Sequence, residues 1–298
     1  MFQAVVGVKM VEMAMHLTRR PLTDDMRSMA ETTARDYGAD VETVQIVSWD
    51  GVALRGWLFR KRQGNGNVVV LLHGQGDNRA GMLNYVSLLL RNDYIVLNPD
   101  MRAHGESGGE LATYGVVESE DVARWMNWLE ETEKPQCLFG LGESMGAAIV
   151  LQALRTEPGF CAVVAESSFS SFREIAYDRA GRALGGGETL GRTLLRPGVE
   201  AGLLYARVRY GVNFDGAEPA QAVAASRVPL LLIHGLEDIS IPPRHSRMIR
   251  ESRPQETELW EAEGTEHSGA LGHRPDEFER RVTSFLAKHT LSNRRIAD

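Results

Sequence analysis

Cys137-Leu138-Phe139-Gly140-Leu141-Gly142-Glu143-Ser144-Met145-Gly146-Ala147-Ala148-Ile149-Val150-Leu151 is the stretch that decides the fold. An apolar run of strand length passes through two glycines bracketing a serine into residues of helical company. The pattern G-x-S-x-G at such a junction marks a sharp strand-to-helix turn that lifts a serine hydroxyl above a sheet. The pattern alone does not choose the serine, because Gly105-Glu106-Ser107-Gly108-Gly109 matches it too. Ser107 lies several residues past its apolar run, in a polar loop with no helix start after it. It therefore reads as a residue tying down its own turn, and Ser144 as the nucleophile.

Outward from this stretch the alternation continues. Short apolar runs at Val68 to Leu72, Tyr94 to Leu97, Cys161 to Ala165, Leu230 to Ile233 and Thr257 to Trp260 read as strands. Helical patterns lie at Met82 to Leu90, Glu118 to Leu129, Met145 to Leu154, Arg244 to Glu251 and Pro275 to His289. Continuous apolar strands separated by helices indicate an α/β fold, a mostly parallel sheet buried on both faces. Val44 to Val47 and Leu54 to Phe59 flank Asp50-Gly51 and read as a β-hairpin. Ligands of such sheets bind beyond the carboxyl ends of the strands, so the chemistry is sought there. Residues 167–226 hold too much for one crossover helix and read as an inserted helical cap over the strand ends.

The chain has 298 residues, with 33 Lys and Arg against 40 Asp and Glu, a formal charge of −7. That length supports a large core, and 43% hydrophobic residues exclude wholesale disorder. The acidic balance lacks the basic footprint of a phosphate-backbone binder, so no nucleic-acid partner is expected. Two cysteines, Cys137 and Cys161, make no disulfide framework and read as buried small hydrophobes. Residues 1–41 form an N-terminal arm. Thr23 starts a helix there and Gly38 stops it. Before it, Phe2, Val6, Met10, Met13 and Leu17 recur on one helical face. That face is expected to pack on the protein's own core or on a second copy of the chain, with a membrane-surface or substrate-access role as the alternative. The run is too short for an integral span and lacks secretory features, and a cytoplasmic location is expected.

A serine needs an imidazole to take its proton, and the imidazolium needs a nearby carboxylate. His16, His245 and His289 fall on helices, while His73 and His234 end strands before glycine and orient loops. His267 lies in the polar loop Glu263-Gly264-Thr265-Glu266-His267-Ser268-Gly269 between the last strand and the last helix, and is preferred over His273. Asp238 follows the Leu230 strand and is preferred over the adjacent Glu237. The order Ser144, Asp238, His267 is that of residues projecting from successive strand ends. Glu143, inside the turn, is expected to hydrogen-bond locally and hold it.

Taken together, Leu71-Leu72-His73-Gly74-Gln75-Gly76, Asp100-Met101-Arg102-Ala103-His104-Gly105-Glu106-Ser107, Gly142-Glu143-Ser144-Met145-Gly146, His234-Gly235-Leu236-Glu237-Asp238 and Gly264-Thr265-Glu266-His267 resemble the α/β-hydrolase superfamily over roughly residues 42–290. The relatives it looks most like are capped bacterial esterases similar to monoacylglycerol lipases and prolyl-oligopeptidase-type domains. The resemblance implies one hydrolase domain over 42–298, and an oxyanion hole from the backbone N–H groups of Gln75 and Met145. It implies a small-molecule ester substrate cleaved through an acyl-enzyme. Amides, peptides and thioesters are served by the same residues, and a non-catalytic ligand-binding protein is the alternative of another class. No phosphate loop, dinucleotide fingerprint or metal cluster is present in the sequence, and no cofactor is expected.

Overall fold

The computed structural model describes residues 2–156 and 159–290. The chain begins with α1 (Phe2–Met15) and α2 (Asp24–Asp36). The Thr23 side chain accepts from the Met26 N–H to start α2, and Gly38, at φ +66°, follows its end.

An eight-stranded sheet follows in the order β1-β2-β4-β3-β5-β6-β7-β8. β1 (Ala39–Val47) and β2 (Ala53–Lys61) pair antiparallel around Asp50-Gly51, and β2 pairs antiparallel with β4 (Ile95–Pro99). β4, β3 (Asn67–Leu72), β5 (Cys137–Glu143), β6 (Phe160–Glu166), β7 (Leu230–Gly235) and β8 (Thr257–Ala262) run parallel to one another. The crossovers use α3 (Leu83–Arg91), α4 (Glu118–Thr132) and α5 (Met145–Ala153). Four helices stand between β6 and β7: α6 (Phe172–Ala183), α7 (Gly187–Arg192), α8 (Arg196–Tyr210) and α9 (Pro219–Ala225). The chain then runs through α10 (Arg244–Ser252), α11 (Ala270–His273) and α12 (Pro275–Lys288).

The strand period of two separates the core into two layers. Val68, Val70 and Leu72 point to the side of Trp125 and Ile149; Val69 and Leu71 point to the side of Leu89, Phe139 and Phe278. Each such fully buried aliphatic side chain contributes about 1.5–3 kcal/mol. This is why β3, β6 and β7 read as unbroken apolar runs.

Two expectations are corrected. On α1 the buried side chains are Val11 and Met15, on the face that Gly7 shares, whereas Val6 and Met13 are exposed at 40% and 75%. The helix is apolar nearly all round, so spacing did not single out a face; the side chain of Phe2 lies outside the description. What fixes the face is backbone contact. A Cβ on Gly7 would overlap the Gly198 carbonyl of α8, and one on Gly202 would overlap the carbonyl of Gly7. Cys137 and Cys161 are both buried, as expected, but bonded to each other, with Cα atoms 5.7 Å apart. They sit on neighbouring strands, and the pairing of β5 with β6 across 24 residues of sequence brings them together. No helix among the described residues is long and apolar enough to cross a membrane.

Candidate active site

The carboxyl ends of β3, β5, β7 and β8 deliver the residues singled out above to one edge of the sheet. Ser144 sits between β5 and α5 at φ +52° and ψ −116°, a conformation that costs a non-glycine residue of order 1–3 kcal/mol. Its surroundings hold it there. The Ser144 N–H donates to the Glu166 carbonyl at 2.8 Å. A Cβ on Gly142 would collide with the Gly146 backbone, and one on Gly146 with the Leu72 and His73 carbonyls. The two glycines therefore let α5 leave the strand abruptly enough to hold the serine up.

His267 Nε2 lies 2.8 Å from Ser144 Oγ, and His267 Nδ1 lies 2.7 Å from Asp238 Oδ2. Asp238 Oδ1 accepts from the Ser240 and Ile241 N–H groups, both at 2.8 Å. His234, expected to orient a loop, ends β7 beneath them, with Nε2 3.3 Å from Asp238 Oδ2 and 2.8 Å from the Ile241 carbonyl. Burial would raise the Asp238 pKa, but the contacts with His234 and His267 outweigh it and hold the carboxyl below the usual range. An ionised Asp238 keeps the proton of His267 on Nδ1 and leaves Nε2 to accept from the serine. Glu237 and His273, the weighed rivals, are solvent-exposed.

Gln75 lies in the loop after β3, and two buried histidines shape that loop. His73 Nε2 accepts from the Met101 N–H at 3.1 Å, and His104 Nε2 accepts from the Gly76 N–H at 3.1 Å. Burial, aided by neighbouring His104, pushes His73 down to about 4, so it stays neutral and keeps that acceptor. His104 was missed in sequence as a loop-holder; its signal was its place in the same Asp100-to-Ser107 segment as the second G-x-S-x-G. Ser107 is fully buried and ties that segment down, donating to the Asp100 carbonyl at 2.6 Å and accepting from the Arg55 N–H at 2.9 Å.

Sequence reasoning also missed the partners of Glu143. The Tyr85 hydroxyl lies 2.7 Å from Glu166 Oε2 and 3.1 Å from Glu143 Oε2, so one phenol joins a buried and a half-buried carboxyl behind the turn. Burial, with Glu166 beside it, pushes Glu143 up to about 7. The signal was faint: Glu166 ends an apolar strand with nothing nearby in sequence to pair it.

Two cavities meet at Ser144. One, of about 300 Å³, is apolar, with Met10, Met13, Tyr114, Phe169, Phe172 and Ile175 in its wall and Gln75, Ser144 and Met145 also lining it. The other, of about 290 Å³, is polar and is lined by Asp77, Glu143, Ser240 and His267. Arg179 and Gln75 border both. Among the described residues no group of three His, Cys, Asp or Glu side chains is placed to hold a metal ion.

The model of the alpha/beta hydrolase family matches residues 69–281. The uncharacterized protein YqkD of Bacillus subtilis (strain 168) is 27% identical over 224 residues, 74% of this chain and 71% of that protein. The uncharacterized protein YfhR of Escherichia coli (strain K12) is 26% identical over 260 residues, 84% and 83% of the two chains. Among solved structures, the esterase Pf2001 of Pyrococcus furiosus superimposes with a TM-score of 0.71 at 24% identity, covering 92% of this chain and 99% of that one. That likeness is one of fold.

Proposed function

The chain belongs to the alpha/beta hydrolase family, and from that premise we propose that it is a serine esterase acting on carboxylic esters through an acyl-enzyme. One observation carries the reading: Ser144, His267 and Asp238 are joined at 2.8 and 2.7 Å where an apolar cavity meets a polar one. An apolar acyl group and a polar leaving side match that division.

In the first half-reaction Ser144 Oγ attacks the ester carbonyl carbon while His267 Nε2 takes the hydroxyl proton. The carbonyl oxygen becomes an oxyanion facing the Gln75 and Met145 N–H groups. Met145 is the first residue of α5, so no carbonyl of its own helix can accept from its N–H. Collapse breaks the ester C–O bond, and the proton on Nε2 passes to the departing alcohol. In the second half-reaction Nε2 takes a proton from water, which attacks the acyl carbon. The second tetrahedral species then breaks its C–Oγ bond, the proton on Nε2 returns to Ser144 Oγ, and the carboxylic acid is released. Asp238 stays ionised throughout, orienting Nδ1–H and balancing the imidazolium. Helices α6–α9 form the cap, and substrate is chosen beneath them.

The expected result is hydrolysis of p-nitrophenyl butyrate by the full-length chain and its loss in Ser144→Ala. Wild-type rates in that variant would remove the assignment.

A further inference from the structure

The apolar cavity at Ser144 continues along α1. Met10 lines both it and a second apolar chamber of about 180 Å³. Opposite α1, the groove follows α6: Ala176 borders the first chamber, and Ala180 and Ala183 the second. These positions, spaced four and three apart, occupy one helical face, and their small side chains leave the space open. At the far chamber α1 is held at backbone contact on α8 through Gly7, Gly198 and Gly202, and Gly7 and Gly198 line that chamber. The arm is thereby a fixed wall of the groove. From Ala14 to Gln3 the two chambers follow α1 for about 16 Å at the rise of an α-helix. Gln3 is the one polar side chain lining the far chamber, and its amide donates to the Leu194 carbonyl at 3.2 Å.

Resting on the esterase reading, we propose that the α1–α6 groove holds the acyl chain, that the substrates are esters of unbranched long-chain carboxylic acids, and that Met10 sets the chain length. An apolar track that starts at the nucleophile, with Ala176, Ala180 and Ala183 along one side and Val6, Leu195 and Val199 closing the far chamber, fits a polymethylene chain. The thioether of Met10, unbranched and adaptable, stands where the first chamber passes into the second. Chains that end before it occupy the first chamber; longer ones displace it.

The test uses the purified full-length chain and p-nitrophenyl butyrate, octanoate, laurate and palmitate, with rates normalised to fluorophosphonate-labelled enzyme. Each methylene moved from water into the track raises kcat/KM by about four-fold. The expected wild-type gain from butyrate to octanoate is therefore roughly ten-fold or more, since part of the chain stays partly wet. Met10→Trp should lower the octanoate-to-butyrate ratio by about ten-fold. Ala183→Phe, at an exposed position in the far chamber, should lower the laurate-to-octanoate ratio instead. Because labelling counts only folded active sites, a poorly folding variant still reports its ratio, and the second variant stands independently of the first. An enzyme that labels and cleaves butyrate, yet shows falling rates with acyl length or unchanged ratios in both variants, overturns the groove alone. Faster turnover of acetate esters of long-chain alcohols than of long-acyl esters does the same, by placing the alcohol in the track. Absence of both labelling and hydrolysis overturns the esterase reading and the groove with it.

Discussion

Among the described residues, two of the Ser–His–Asp clusters invite comparison. In one, Ser144, His267 and Asp238 are joined at 2.8 and 2.7 Å; in the other, Ser170, His245 and Asp178 are joined at 2.9 and 2.9 Å. Distances do not separate them. The ring orientation does: His267 meets its serine through Nε2, His245 through Nδ1. That Nδ1 already accepts the N–H of Ser170 itself at 3.1 Å, so its lone pair is not free for the hydroxyl proton. Asp178 is shared with Arg244, which binds both its oxygens at 2.6 and 2.7 Å. Ser170, His245 and Asp178 are all buried, whereas Ser144 lines two cavities and the His267 side chain is 27% exposed. Ser144 also carries a strained φ, while Ser170 is absent from the residues of positive φ. The same three residue types thus make a latch between α6 and α10 in one place and a cavity-lining serine with a free imidazole partner in the other. Access and a free imidazole lone pair make the difference.

The largest effect that would break this comparison is catalytic. Ser144→Ala should cost on the order of 10⁴–10⁶ in kcat for p-nitrophenyl butyrate, and Asp238→Asn about 10⁴, measured by initial rates. Ser170→Ala should stay within about two-fold of wild type, because a hydroxyl with no route to substrate contributes only to the latch. Next comes stability. Asp178→Asn removes the carboxylate that Arg244 and His245 share, and should lower unfolding free energy by about 3 kcal/mol in urea titration. The activity per fluorophosphonate-labelled site should be retained. Ser170→Ala should cost about 1 kcal/mol by the same titration, the ordinary worth of one buried hydrogen bond.

The smallest effect concerns pH. Glu143, raised from 4.5 to about 7 by burial and by Glu166, binds its proton more tightly in the folded state. Its contribution to stability is fully present below pH about 4.5 and is lost as pH rises through about 7. Glu143→Gln should therefore raise Tm relative to wild type more at about pH 8 than at about pH 5, in thermal melts at matched ionic strength. An equal shift at both would detach Glu143 from the titration.

What the sequence made legible follows the same division. The alternation of strands and helices and the hydrolase fold were readable because buried parallel strands must be apolar throughout, as at Val68 to Leu72, and because turn glycines such as Gly142 and Gly146 answer to a single geometry. The meeting of Ser144, His267 and Asp238 was readable because Ser144 stands at a strand-to-helix turn between glycines, while Asp238 and His267 each follow a strand in a polar loop. The Ser170 cluster was not, since Ser170, Asp178 and His245 sit in or beside helices whose packing against one another is set by the tertiary fold. The buried face of α1 failed for a related reason: with apolar residues nearly all round, the glycine contacts with α8 decide the face. The Cys137–Cys161 bond required the β5–β6 register, which periodicity does not supply. Glu166 needed Tyr85, 81 residues away in sequence.

The most direct measurement is the site of covalent capture. Incubating the full-length chain with a fluorophosphonate and mapping the adduct by peptide mass spectrometry should yield one modified residue, Ser144, with Ser107 and Ser170 unmodified. An adduct on either of those serines, or none at all on a chain that hydrolyses esters, would contradict the assignment of Ser144 as the nucleophile.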